Sequence, residues 1–181
     1  MDIHTEIEFK SMLTKEEYER IVATFPFTTY HQKNEYLDTL DNQFSKQKKG
    51  CRIRTKDGTF ELTIKTPLTQ DETEEQNWSL TEEQYQQFQK TRDLSYIDSL
   101  FSQPLFTIGT VETTRSETSY KSGVLMVDHS IYEYHEDYEV EFEVTDSKHG
   151  KADFEHFLNE FELPYRPAEK KLLRMKTSGK G

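Results

Sequence analysis

The sequence predicts an α+β fold built on a closed, mostly antiparallel β-barrel with helices packed outside. Three observations carry that expectation. Apolar and polar residues alternate in segment after segment. Two turn signals join long alternating runs into hairpins. Only a few helical stretches interrupt them. So many strands would leave exposed edges in an open sheet, and closure removes them.

The opening segment "HTEIEFK" sets the pattern. Glu6, Glu8 and Lys10 share one face of a strand, with Ile7 and Phe9 on the other. "LTKEEY" then marks a helix start, with Thr14 as N-cap, Glu17 three residues on, and Leu13 and Tyr18 placed as a hydrophobic staple. "NEYLDT" is a strand. In "CRIRTKDGTFELTIK", Asp57-Gly58 supplies a tight turn between two alternating runs. "EEQNWSL" is another strand, and "LTEEQY" repeats the capping device with Thr81, Gln84, Leu80 and Tyr85. "LSYIDSLF" reads as a short helix. "TTRSETSYKSGVLMVDHSIYEY" is a second hairpin, turning near Lys121 to Gly123, and "DYEVEFEV" follows it. A helix over Lys151 to Phe161 shows an apolar stripe of Phe154, Phe157, Leu158 and Phe161, and a final strand is expected near "KKLLRMK". This makes about eight or nine strands. "EIEFK" and "EVEFEV", each followed by a helix, hint at an internal repeat.

At 181 residues the chain suits one domain, expected over 1–176, with 177–181 a flexible tail. Only 33% of residues are hydrophobic and 31% are charged, yet 12 Phe, 10 Tyr and one Trp set it apart from disordered chains. A barrel with a wet, polar interior reconciles the two. The formal charge of −11 argues against nucleic-acid and anionic-membrane partners. A single cysteine, Cys51, excludes an intramolecular disulfide framework; it reads as a small buried hydrophobe. The N-terminus carries no signal-type apolar run and no stretch is long enough to cross a bilayer, so a cytoplasmic protein is expected.

The charged faces are the unusual feature. Arg52 and Arg54 share a face, as do Glu61, Thr63 and Lys65, and as do Glu139, Glu141 and Glu143. Arg115 sits in "TTRSET", and Asp128 interrupts the apolar run "VLMVDHSIY". One solvated face is the ordinary explanation for any single antiparallel strand. Like charges in such rows repel, however, unless opposite charges stand near. Helices covering the apolar faces from outside would leave a barrel lined with acids and bases. Carboxylates select hard cations such as Mg²⁺ or Mn²⁺, and Arg and Lys recognise phosphate oxygens. A metal-bound polyphosphate satisfies both sets.

Taken in order, these residues resemble the CYTH superfamily, the triphosphate tunnel metalloenzymes, in its small Gram-positive bacterial branch. The resemblance runs from Ile3 to about Met175. It rests on E-x-E-x-K at Glu6, Glu8 and Lys10, "NEYLDT", R-x-R at Arg52 and Arg54, and Lys65 at a strand end. It continues with Arg115, the Asp of "VDHSIY", E-x-E in "YEVEFEV", and K-x-x-R at Lys171 and Arg174. It implies an eight-stranded antiparallel tunnel that binds triphosphate with Mg²⁺ or Mn²⁺. Glu6, Glu8, Glu139 and Glu141 would hold metal, joined by Glu143 and Asp128. Lys10, Arg52, Arg54, Lys65, Arg115, Lys171 and Arg174 would grip phosphates. Lys171 and Arg174 have opposite parity in a straight strand, so both reach inward only if that segment bends or is partly helical, or if Lys170 substitutes for one of them.

The implied reaction is attack of water on the terminal phosphoryl group, with Glu6, Glu8, Lys10, Lys65, Glu139 and Glu141 as its catalytic set. Inorganic triphosphate is the expected substrate. Thiamine triphosphate hydrolysis, class IV adenylyl cyclase chemistry and a non-catalytic polyphosphate or nucleotide sensor are the alternatives. The partner is a triphosphate-containing small molecule. No G-x-S-x-G, H-E-x-x-H or Walker-type loop offers another chemistry.

Overall fold

In the computed structural model, which describes residues 1–178, eight antiparallel strands close on themselves. The strands are β1 (Asp2–Leu13), β2 (Thr28–Asp38), β3 (Gly50–Lys56), β4 (Thr59–Pro67), β5 (Glu72–Leu80), β6 (Phe106–Tyr120), β7 (Gly123–Ile131) and β8 (Glu136–Val144). Around the barrel they run β1-β5-β4-β3-β2-β6-β7-β8, and β8 pairs back onto β1. The two expected hairpins are β3–β4 and β6–β7. Asp57 and Gly58 both take positive φ, 49° and 73°, as the tight turn requires.

Alternation sends one half of each strand outward, and the outward apolar halves are covered by helices. On one side Phe9, Leu125, Val140 and Phe142 pack under α1 (Lys15–Val22) and α4 (Ser147–Glu160) through Ile21, Phe154 and Phe157. On another, Ile53, Leu62, Ile64 and Trp78 meet Tyr85 and Phe88 of α3 (Glu82–Thr91). The hydrophobic core is therefore split: two large clusters lie outside the barrel, a small one of Tyr36, Val111, Tyr132 and Met175 lies under the C-terminal helix, and most of the remaining interior is polar. The strands β1 and β8, which carry the similar segments, are antiparallel neighbours, and the helices after them share one cluster. Among the described residues, no helix is long and apolar enough to cross a membrane.

Both capping boxes form as the sequence indicates. Thr81 Oγ1 accepts from the Gln84 backbone at 3.0 Å, and Gln84 Oε1 accepts from the Thr81 N–H at 2.9 Å. Thr81→Ala removes half of this exchange, with an expected loss of about 1 kcal/mol in urea unfolding.

Three local expectations change. "KKLLRMK" is not a strand but the start of helix α5 (Lys171–Ser178). The barrel is already closed without it, and Leu172 and Met175 instead join a small cluster with Tyr36, Val111 and Tyr132. "LSYIDSLF" yields only a 3₁₀ turn at Ser99–Phe101, because Asp98 accepts from the Leu100 N–H and locks a tight turn. A four-residue helix, α2 (Gln43–Lys46), was not foreseen. It is held by the buried Asp38 carboxylate, which accepts from the backbone N–H groups of Thr39, Phe44 and Ser45. Of the segment expected as a tail, Ser178 still belongs to α5, and residues 179–181 lie outside the described residues.

Candidate active site

The pairing register brings the charged rows together inside the barrel. Glu8 stands opposite Glu143 and Lys10 opposite Glu141. Lys65 stands opposite Glu75, and Arg115 opposite Asp128. The inward side chains line a cavity of about 390 Å³ that extends outward between α5 and the α2–β3 turn. Glu6, Glu8, Lys10, Arg52, Arg54, Lys65, Arg115, Glu141, Glu143 and Lys171 all border it. Asp128, Glu139 and Arg174 do not. They lie buried beside it, where Asp128 and Glu139 pair with Lys171 and Arg174 of α5 (Lys171–Ser178).

The helical form of α5 resolves the parity conflict. Residues three apart share a helix face, so Lys171 and Arg174 both reach the barrel interior. Lys171 Nζ lies 2.7 Å from Asp128, 2.5 Å from Glu139 and 3.0 Å from Glu141. Arg174 Nη2 donates to Glu139 Oε1 at 2.7 Å. Arg115 donates to both Asp128 carboxylate oxygens, each at 2.8 Å. This part of the interior is self-neutralised. Burial alone would push the Asp128 carboxyl up, but Arg115 and Lys171 hold it below its ordinary range. Glu141 behaves alike: Lys171, Arg115 and Lys10 outweigh burial and hold it well down. At Glu139 burial wins over Lys171, and the carboxyl rises to about 7.

The rest of the cavity is not self-neutralised. Oxygens of Glu6, Glu8 and Glu143 lie within 4.8 Å of one another. Glu143 makes no ion pair among the described residues, and burial with the charges of Glu8 and Glu75 raises its pKa. Burial pushes Glu6 up to about 8 although Lys65 is 3.6 Å away; a hydrogen bond to Glu75 favours the proton on Glu6. On the same cavity Arg52 and Arg54 make no ion pair among the described residues, and the buried Arg52 Nε has no hydrogen-bond partner. Burial, then repulsion by Arg52 and Arg115, draws the Arg54 guanidinium down to about 9. Carboxylates short of a cation and arginines short of an anion thus border one space. Three converging hard oxygen donors, one of them unpaired, fit a divalent cation. The second acidic cluster, Asp128, Glu139 and Glu141, converges as closely but is filled by the Lys171 ammonium.

Sequence reasoning missed Glu75. It is 5% exposed and sits 3.2 Å from Lys65. Its signal was present, since Thr73, Glu75 and Asn77 alternate through β5 just as the rows already singled out do. It also missed Lys48, Lys49 and Lys176, which border the cavity beside Lys170 and are brought there only by tertiary folding of loop and helix.

The CYTH domain family model matches residues 4–175. The chain is 34% identical over 190 aligned residues to "Putative triphosphatase YjbK" of Bacillus subtilis (strain 168), covering 96% of this chain and 95% of that protein. A crystal structure from Bacillus halodurans, described as a "putative adenylate cyclase", superposes with a TM-score of 0.83 at 32% identity, over 96% of this chain and 98% of that one. A Hippeastrum protein, described as a "putative adenylyl cyclase" with a dominant triphosphatase activity, shares the fold with a TM-score of 0.78 at 20% identity, over 96% and 95% of the two chains. Register, interior charge and family match agree, and this chain belongs to the CYTH domain family.

Proposed function

We propose that the protein is a divalent-metal-dependent triphosphatase that prefers inorganic triphosphate to thiamine triphosphate and ATP. The observation that carries this reading is the meeting of two charge sets on one cavity: Glu6, Glu8 and Glu143 converging with Glu143 unpaired, and Arg52 and Arg54 without an ion-pair partner among the described residues. The relative's triphosphatase name supports it.

Glu6, Glu8 and Glu143 would hold the Mg²⁺ or Mn²⁺. Bound there, such an ion offsets phosphate charge and supplies an acidified water. Arg52 and Arg54 donate to phosphate oxygens in fixed forks, and Lys10 and Lys65, already 3.6 Å from Glu8 and Glu6, add point charges. These donors are in place before reaction, so charge developing on the bridging oxygen meets a preorganised positive field. Water oxygen bonds to the terminal phosphorus as the bridging P–O bond breaks, leaving orthophosphate, pyrophosphate and a proton. The Arg115–Asp128–Lys171 network holds α5 against the barrel and fixes one wall of the chamber.

The cyclase alternative needs a surface that reads adenine. Tyr36 is the single aromatic bordering the cavity among the described residues, and it is 6% exposed. The test is phosphate release from inorganic triphosphate, thiamine triphosphate and ATP in parallel, with Mg²⁺ or Mn²⁺, against a Glu8→Ala preparation. Metal-dependent release, fastest from inorganic triphosphate and lost in the variant, is expected. Cyclic AMP from ATP would transfer the assignment to a cyclase. Binding of triphosphate without any turnover would leave a sensor.

A further inference from the structure

Resting on the phosphate-binding reading of the cavity, we propose that Lys48, Lys49, Lys170 and Lys176 form a second phosphate-binding zone at its mouth. Linear polyphosphates longer than triphosphate are then the substrates it handles best.

All four lysines border the cavity, and none makes an ion pair among the described residues. The chain carries 34 acidic residues against 23 Lys and Arg, so a cluster of uncompensated ammonium groups runs against its overall balance. The acids that border the cavity, Glu6, Glu8, Glu141 and Glu143, all come from barrel strands, whereas the four lysines come from the α2–β3 turn and the α5 end.

Their placement is built. The turn carrying Lys48 and Lys49 is pinned by Lys48 N–H to Ser45 O at 3.0 Å and Lys49 N–H to Phe44 O at 2.9 Å. Asp38 secures the same residues from beneath. Lys176 Nζ reaches across to Ser45 Oγ at 3.4 Å, so helix and turn meet at the opening. Lys170 is half-buried, and burial with repulsion from Lys10 and Lys65 outweighs the attraction of Glu8 and lowers its pKa.

This mouth suits one kind of distal group. A thiamine end carries a positive ring and would be repelled. An adenine end wants an exposed aromatic face, which Tyr36 does not offer. Further phosphates satisfy four ammonium groups directly. The chemistry is unchanged: water oxygen bonds to the terminal phosphorus, the adjoining P–O bond breaks, and the products are orthophosphate, a chain one unit shorter and a proton.

The experiment compares kcat/KM for inorganic tri- and tetraphosphate, with Mg²⁺ in excess over total phosphate, for wild type and Lys48→Ser/Lys49→Ser. Wild type should favour tetraphosphate about fivefold, mainly through KM, and the double variant should bring the ratio close to one. Its triphosphate turnover should stay within about twofold, and a melting curve confirms that it folds. Equal handling of the two chains by wild type, or a preference that survives the double substitution, overturns the proposal. Calorimetric titration with both phosphates separates this from the hydrolase reading. If nothing is hydrolysed but tetraphosphate still binds tighter than triphosphate in wild type only, the mouth assignment stands and the hydrolase reading fails.

Discussion

Arg54→Met is expected to lower kcat/KM for triphosphate by about 100- to 1,000-fold while leaving the folding stability of the free protein unchanged or higher. The first half follows from its place among preorganised donors bordering the acidic cluster. The second follows from its lack of an ion-pair partner. Among the described residues its side-chain hydrogen bond runs from Nε to Asn34 Oδ1 at 2.9 Å, while Arg52 and Arg115 repel it. Removing it relieves that repulsion, and the loss at Asn34 is about 1 kcal/mol in the opposite direction. Steady-state kinetics with paired urea unfolding measures both. A stability loss well above about 1 kcal/mol would show that Arg54 serves the fold rather than a ligand. Triphosphate should also raise the melting temperature of wild type, and far less that of the variant.

Asp128→Ala should do the reverse, costing about 3–5 kcal/mol of folding stability. Asp128 is 0% exposed and accepts from Arg115 twice and from Lys171 once. Its loss leaves two buried cations leaning on Glu139 and Glu141 alone. Activity should fall as well, because α5 loses a main tether. The pH dependence has a definite sign. The folded-state pKa of Asp128 is lowered, so its stabilisation is complete above the unfolded value of about 3.9 and is lost as pH falls through the folded one. Wild type should therefore lose stability below about pH 4 more steeply than the variant, a difference that acid titration followed by circular dichroism will show. An equally steep acid limb in both would remove Asp128 from the account.

Much of this was legible in the sequence, and for a physical reason. A strand sends alternate residues to opposite faces, so a row such as Glu6, Glu8, Lys10 declares its shared side without any knowledge of its neighbours. Asp57-Gly58 and the Thr14 and Thr81 boxes are equally local, and they form as read. What did not show was set by distance in the chain. Nothing local says that "KKLLRMK" is a helix, because it is the apolar contact of Leu172 and Met175 with Tyr36 and Val111 that favours it. The separation of the six carboxylates into a filled cluster and an unfilled one depends on where Lys171 lands, more than a hundred residues from β1. Glu75 is the exception: its parity was readable, and only its partner Lys65 was picked out.

The split hydrophobic core has a consequence for how such a protein can change over generations. Folding is written largely on the outer faces of the strands and chemistry on the inner ones, with the same backbone serving both. Apart from the Asp128 network and the Tyr36 cluster under α5, many inward side chains can be exchanged without disturbing a large apolar contact. A lineage carrying this barrel is free to sample new lumenal chemistries one substitution at a time, and drift on the outside is where it risks losing the fold.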